Sequence, residues 1–470
     1  MANEKIISPG VFTRENDQSF LQRGIESIGA LVIGPTVKGR ALIPTKVTSY
    51  SEYVQTFGTT FKSGSDYYQY LTSYTAREYF NNGGKTLTVI RIMSGSYAPA
   101  NSSITAVDSG SCFTLETLAQ GALLNNSGSE SSGSLVSGSV DNVRWEVVNP
   151  SSTNGTFTLL IRRGDDNNQQ KTILETWTNL SLDPKVPNYI ANVIGDTAYN
   201  LNATENYIQS TGSYSNKSGY VRVSSVNKQT PDYFDNNGIA KSAYTSSLPI
   251  ASSSSLTRGS DGLVLGNAKF YDQITDSATN SQGYTAAAYV NALNLISNQD
   301  EYDFNLILLP GIHANNNVLS SAITTAIATA ENRGDCFVIV DPVGFGSALT
   351  STTTVAASYN SNYGGMYWPW VQIRDTDLNK NVWVPASTLL GGVFAFNDQV
   401  GAEWFAPAGL NRGGIPSVIQ AERKLSQSNR DTLYSSNINP LASFPGEGVV
   451  AWGQKTLQRK ASALDRINVR

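Results

Sequence analysis

The sequence predicts a multidomain α/β protein interrupted by a β-rich insertion. Three observations carry this. At 470 residues the chain exceeds what one compact core accommodates, so roughly two to four domains are expected. Apolar runs alternate with helix-length amphipathic stretches near the start and again after Gly262. Between them, residues 94–258 change to Ser, Gly, Asn and Thr with short, recurring strand patterns.

Taken in order, the first 22 residues are a polar lead holding one extended segment, Ile6-Ile7-Ser8-Pro9-Gly10-Val11-Phe12, with a turn at Pro9-Gly10. From Ile25 to Ile92 the pattern reads β-α-α-β. Ile28–Ile33 forms a buried strand that Gly34-Pro35 ends. Ser49 with Glu52 has the spacing of a capping box for a short helix closing near Gly58. Asp66 is read as the cap of a longer helix, with Tyr67, Tyr70, Leu71 and Tyr74 along one face until Asn82-Gly83-Gly84. Thr86–Ile92 alternates as the next strand. Within 94–258, strands are expected at Cys112–Leu118, Val143–Val148, Thr156–Arg162, Thr172–Trp177 and Tyr220–Ser224, as a sandwich or barrel. The third and fourth form a hairpin across Gly164-Asp165-Asp166-Asn167-Asn168, whose two carboxylates read as a solvated tip. After the Ser252–Ser255 tether, helices near Thr285–Ile296 and Val318–Asn332 alternate with strands Phe304–Leu309 and Cys336–Val340. That order implies βαβ units and a largely parallel sheet.

Composition narrows the functional classes. The 33 basic and 37 acidic residues give a formal charge of −4, which lacks the basic footprint of phosphate recognition and argues against direct nucleic-acid binding. The start has no apolar signal core, and no run approaches the ~18 apolar residues of a membrane span. Cys112 and Cys336 read as buried thiols, and one histidine cannot complete a Cys/His metal cluster, so no metal and no cofactor is expected. His313 follows Pro310-Gly311 at a strand end, with Asp303 and Asp341 as candidate orienting acids. Yet no Gly-x-Ser-x-Gly elbow accompanies it, and a loop or capping histidine is the better reading. Gly259-Ser260-Asp261-Gly262 lacks both a P-loop lysine and EF-hand carboxylates, and reads as a turn where the chain re-enters the α/β unit.

The most concentrated signal lies in Trp368–Ser387, Gly401–Ile415 and Asn437–Leu457. These stretches hold five of the seven tryptophans among Pro and Gly, without His or Cys. They suit loop shaping and packing, inside the protein or against a partner. Their order, with Ser8-Pro9-Gly10-Val11, Val47-Thr48-Ser49 leading to Phe57-Gly58, Tyr79–Gly84 and Leu256–Gly262, resembles the contractile tail sheath proteins of myovirus-type phages.

That resemblance implies a subtilisin-like α/β domain without a catalytic triad at 23–93 and 259–417. It implies an outer β-rich domain at 94–258, an N-terminal arm at 1–22, and from 418 to 470 the start of a tube-facing domain. It implies a structural, non-enzymatic subunit that polymerises helically around a tail tube and contracts to drive the tube through the host envelope. The partners would be other sheath subunits in six-membered rings, the tail tube protein, the baseplate and the tail terminator. The location would be the virion tail, after assembly in the host cytoplasm. Under this reading Ile6, Ile7, Val11, Phe12, Thr13, Arg14 and Glu15 form the arm donated as a strand to a neighbour. Family members continue beyond the sequence matching Ala463–Arg470. On that ground the chain is expected to be a monomeric fragment, poorly supported beyond about 418. The alternatives are the sheath of a phage-derived injection system, of tailocin or secretion type, a serine hydrolase, and a surface or adhesin β protein.

Overall fold

The computed structural model describes residues 29–63, 66–127, 130–131, 134–135, 137–262, 284–402 and 404–469. The expected arm residues, Ile6 to Glu15, lie outside them. At the centre is an eight-stranded sheet. Its spatial order is Thr45–Val47, Leu87–Arg91, Gly29–Gly34, Phe304–His313, Phe337–Asp341, Gly364–Trp368, Ile438–Phe444 and Gly448–Ala451. The six inner strands run parallel and the two outermost are antiparallel. Strands in such a sheet are buried on both faces, which is why Ala30–Ile33, Ile307–Leu309 and Val338–Val340 read as continuous apolar runs.

Helices cover both faces. On one side Ala286–Leu295, Ser320–Arg333 and Gln427–Ser435 close a core around Tyr289, Ile323, Met366, Trp368 and Leu433. On the other, Tyr50–Phe57, Leu71–Asn81 and Ser387–Val400 close a second core around Tyr53, Tyr74, Leu308, Tyr367 and Leu390. The helix Ser387–Val400 contains Gly391-Gly392, although mid-helix glycine is unfavourable by roughly 1 kcal/mol. Close approach explains the pair: a Cβ on Gly392 would sit 2.7 Å from the Glu78 carbonyl oxygen, and one on Gly391 2.7 Å from Leu308 Cδ1.

The Ser49 cap forms as expected, with Glu52 reaching back one residue beyond it. The Ser49 hydroxyl accepts from the Glu52 amide at 3.2 Å, and Glu52 Oε2 accepts from the Thr48 amide at 2.7 Å. The helix expected from Asp66 does not. Asp66–Gln69 instead pairs antiparallel with Thr60–Ser63, and the helix starts at Leu71. The Thr-Phe and Tyr-Tyr sequence suits a pleated surface better than a helical turn, and pairing overrides the i, i+3, i+4 spacing. Tyr67 consequently points outward while Tyr74 is fully buried.

The inserted region builds its own core from two four-stranded antiparallel sheets. One orders Val221–Val226, Ser111–Gln120, Tyr97–Thr105 and Ser260–Asp261; the other Ile173–Ser181, Thr156–Arg163, Val143–Ser151 and Ser252–Ser255. Phe113 and Phe157 stack across the interior at 5.6 Å. The expected hairpin forms, but its tip differs from expectation. Asp166 is buried, because Arg162 and Arg144 reach it from neighbouring positions on the sheet.

In the last segment, expected from 418 to open a tube-facing domain, the strand Ile438–Phe444 pairs with the central sheet. Ile438 pairs with Met366 and Pro440 with Trp368, and Leu441 and Ala442 are completely buried. The apolar, β-prone run Ile438–Phe444 completes the sheet edge, and the edge strand Gly448–Ala451 is itself capped by residues 409–415.

Candidate functional site

Two regions invite functional reading: the carboxyl end of the central strands, where α/β proteins often place chemistry, and the Trp/Pro/Gly segments. At the first, strand register sets His313 opposite Asp341. Asp303 lies at the start of its strand, far along the chain from this end. Asp341 meets a residue that sequence reading did not single out, Ser387. The Ser387 amide donates to Asp341 Oδ1 at 3.0 Å and its hydroxyl to Oδ2 at 2.5 Å. Ser387 is the first residue of the helix Ser387–Val400, so the carboxylate satisfies an amide that has no partner within the helix. The hydroxyl–carboxylate bond is direct, with no imidazole between the two groups, so this pair is a helix cap reaching across 46 residues of sequence. Among the described residues, no cluster of three His, Cys, Asp or Glu could hold a metal ion, and no helix is long and apolar enough to cross a membrane.

Burial pushes the Asp341 carboxyl up to about 7, and the two Ser387 bonds only partly offset this. Its ordinary value is 3.8. The folded protein therefore holds this proton more tightly than the unfolded chain between these values. The resulting stabilisation is complete below about pH 4 and is lost as pH rises through about 7. Three pH units at about 1.4 kcal/mol each bound the effect at about 4 kcal/mol. Asp341→Asn is expected to remove this component of the pH profile while leaving an oxygen to accept from Ser387. Urea unfolding of both proteins from pH 4 to 8 checks it; parallel profiles would contradict it.

The Trp/Pro/Gly segments divide into a buried wall and an exposed rim. Trp368 is 1% exposed within the first core, and Arg423 lies over its ring at 5.6 Å. Trp370 is buried and its indole Nε1–H donates to the Val343 carbonyl at 2.9 Å, with Phe345 set edge-on against it. The hairpin Val371–Asp375 and Lys380–Val384 is tied to the body by the Tyr74 hydroxyl, which donates to Asp375 Oδ2 at 2.5 Å. The other Asp375 oxygen accepts from the amides of Asp377 and Leu378 and shapes the turn. Gly409 and Gly413 exchange backbone bonds with Ala451 at 2.8 and 2.7 Å, which seats the glycine-rich loop against the sheet edge. In contrast, Trp404 is 71% exposed beside the exposed Phe405, their ring centroids 6.5 Å apart, and Val400 and Leu410, close in sequence, are exposed as well. Exposed apolar side chains of this kind suit a contact surface.

Fold and site together define a multidomain α/β protein with a β-rich insertion, whose distinctive residues brace loops and present an apolar rim. Residues 282–457 match the family described as phage tail sheath protein central domain. The tail sheath protein of Vibrio phage KVP40 is 38% identical over 131 residues, covering 28% of this chain and 19% of that protein. The tail sheath protein of Enterobacteria phage T4 is 29% identical over 206 residues, covering 40% and 31%. The matches thus span between about a fifth and a third of the length of these relatives. In fold, the chain resembles the crystal structure of a sheath tail protein from Listeria innocua, with a TM-score of 0.54 at 11% identity over 95% of this chain and 72% of that one.

Proposed function

We propose that this chain is a structural subunit of a contractile tail sheath, which polymerises helically around a tail tube and contracts to drive the tube through the host envelope. The observation that carries the proposal is the match of residues 282–457 to the sheath central domain. These residues supply the parallel strands from Phe304 to Phe444 and the Trp/Pro/Gly wall. The α/β unit is the subtilisin-like sheath core without a triad, the inserted β unit faces outward, and no catalysis is assigned to either. The partners are further copies in six-membered rings, the tube protein, the baseplate and the terminator. The setting is the virion tail, following assembly in the host cytoplasm. A phage-derived injection apparatus would use the same subunit in the same way.

A head-to-tail contact that does not close generates a helical array, and contraction is the relaxation of that array into a better-packed one, without nucleotide. The exposed rim around Trp404 supports an assembling role. In this proposal Ile6, Ile7, Val11, Phe12, Thr13, Arg14 and Glu15 are the donated strand, held by main-chain hydrogen bonds while other surfaces slide. Deleting residues 1–20 is expected to leave the thermal unfolding transitions unchanged and abolish polymerisation in sedimentation velocity. Normal polymers from the deletion would sink the arm assignment.

A further inference from the structure

The inserted β unit joins the α/β unit through two chain segments, Ile92–Tyr97 outward and Leu256–Gly262 back, which run side by side through a bridge between Ser94 and Gly262 and the pairing of Asp261 with Tyr97. Two crossing segments alone leave a domain free to swing, and relative motion is the default for such pairs. Here a buried cation sits at the crossing. Arg91 ends the Leu87–Arg91 strand and is 3% exposed. Its Nη1 donates to the Gly39 carbonyl of the α/β unit at 2.7 Å and to the Gln120 carbonyl of the insertion at 2.6 Å. Its Nη2 lies 3.9 Å from Asp261, on the returning segment.

The surrounding contacts converge on the same point. Asp261 Oδ1 accepts from the Ala122 amide at 3.0 Å, and Gln120 Oε1 accepts from the Ala41 amide at 2.8 Å. Gly121 lies between them at φ 128°, and a Cβ there would come within 2.7 Å of Asp261 Oδ1 and 3.2 Å of Arg91 Nη2. Only glycine fits both the backbone conformation and the space. Farther out, Lys38 pairs with Asp141 of the insertion at 2.8 Å. A cavity of about 260 Å³ borders this cluster, lined by Arg91 and Asp261 together with Val37, Phe61, Tyr70 and Leu123, so apolar contacts flank the polar crossing.

We propose that Arg91 is the latch that fixes the orientation of the inserted β unit on the α/β unit, with Asp261 and Gln120 as its catches, and that releasing it frees the insertion to reorient as a rigid body. A buried guanidinium that donates to carbonyls on both units favours one relative position, because rotating one unit against the other takes an acceptor away from its N–H groups. Each unit keeps its own core whether or not the latch is set. The inference does not depend on the sheath reading.

The test is a distance measurement between spin labels at two exposed positions, Asn237→Cys in the insertion and Thr350→Cys in the α/β unit, with the buried Cys112 and Cys336 retained. The latched protein gives one narrow distance distribution. Arg91→Met keeps the side-chain bulk but donates no hydrogen bond, and is expected to broaden or shift the distribution while circular dichroism stays unchanged. Asp261→Asn removes the carboxylate facing Arg91 while leaving an oxygen to accept from Ala122, and is expected to broaden it less; it decides the question if Arg91→Met does not fold. A distribution as narrow as that of the parent protein, at the same distance, in each variant that folds would overturn the proposal.

Discussion

Asp166→Ala is expected to destabilise the inserted β unit by about 3–5 kcal/mol, the range found when one partner of a buried ion pair is removed. The Asp166 carboxylate is completely buried, and Arg162 grips it with two bonds, Nε to Oδ2 at 2.7 Å and Nη2 to Oδ1 at 2.9 Å. Arg144 Nη1 stands 3.5 Å away, and the Thr172 amide donates to Oδ2 at 2.9 Å. Truncation strands most of the charge on Arg162, which is itself fully buried and retains Glu146 at 2.9 Å as its remaining carboxylate partner. It also unties Thr172, where the second strand of the hairpin begins. Calorimetry of the two proteins checks this in the transition of the inserted unit. A loss below about 1 kcal/mol, the scale of an exposed pair, would mean that the network contributes little.

Trp368→Ala should destabilise the α/β unit by a similar amount, about 3–5 kcal/mol for truncating a buried aromatic ring. Trp368 sits in the strand that bridges Phe337–Asp341 to Ile438–Phe444, so the cavity would open at the join with the final strands. Trp404→Ala is the control. With its side chain 71% exposed, its cost should stay within about 0.5 kcal/mol. Urea unfolding of the two variants separates the wall from the rim. Equal losses would show that the division between them is wrong.

These residues also mark what sequence can and cannot reveal. The cap at Ser49 and Glu52 is local, its partners lie within four positions, and it forms as read. The strand pattern of the insertion is likewise local, and its five expected strands appear with ends shifted by a few residues. Asp166 reads as a solvated tip because the spacing does not show that the loop folds back over Arg162, four positions earlier, nor that Arg144 of the neighbouring strand lies beside it. Asp341 and Ser387 meet only once a strand and a helix 46 positions apart are packed, and nothing periodic announces a cap at that distance. The helix Ser387–Val400 was hard to see because Gly391-Gly392 lowers helix propensity, yet those glycines are what allow it to lie against Leu71–Asn81. The Tyr67-to-Tyr74 spacing misled for the opposite reason: its helical period is real, but strand pairing claimed the first half of it.

The tryptophan-rich segments were legible as packing and contact elements, but their division was not. Trp368 and Trp370 lie inside, while Trp404 faces out, four residues after the helix that ends at Val400. Sequence spacing alone treats all three alike. Burial separates them, and it places Leu441, Val449 and Ala451 in the same core as Leu308 and Tyr367.

The central claim, that this chain assembles as a contractile sheath subunit, is tested most directly by electron microscopy of the concentrated protein. The account predicts tubular helical arrays built from six-membered rings, and their loss when residues 1–20 are removed. Discrete closed particles, such as two-fold dimers, or monomers that persist at every concentration, would contradict it.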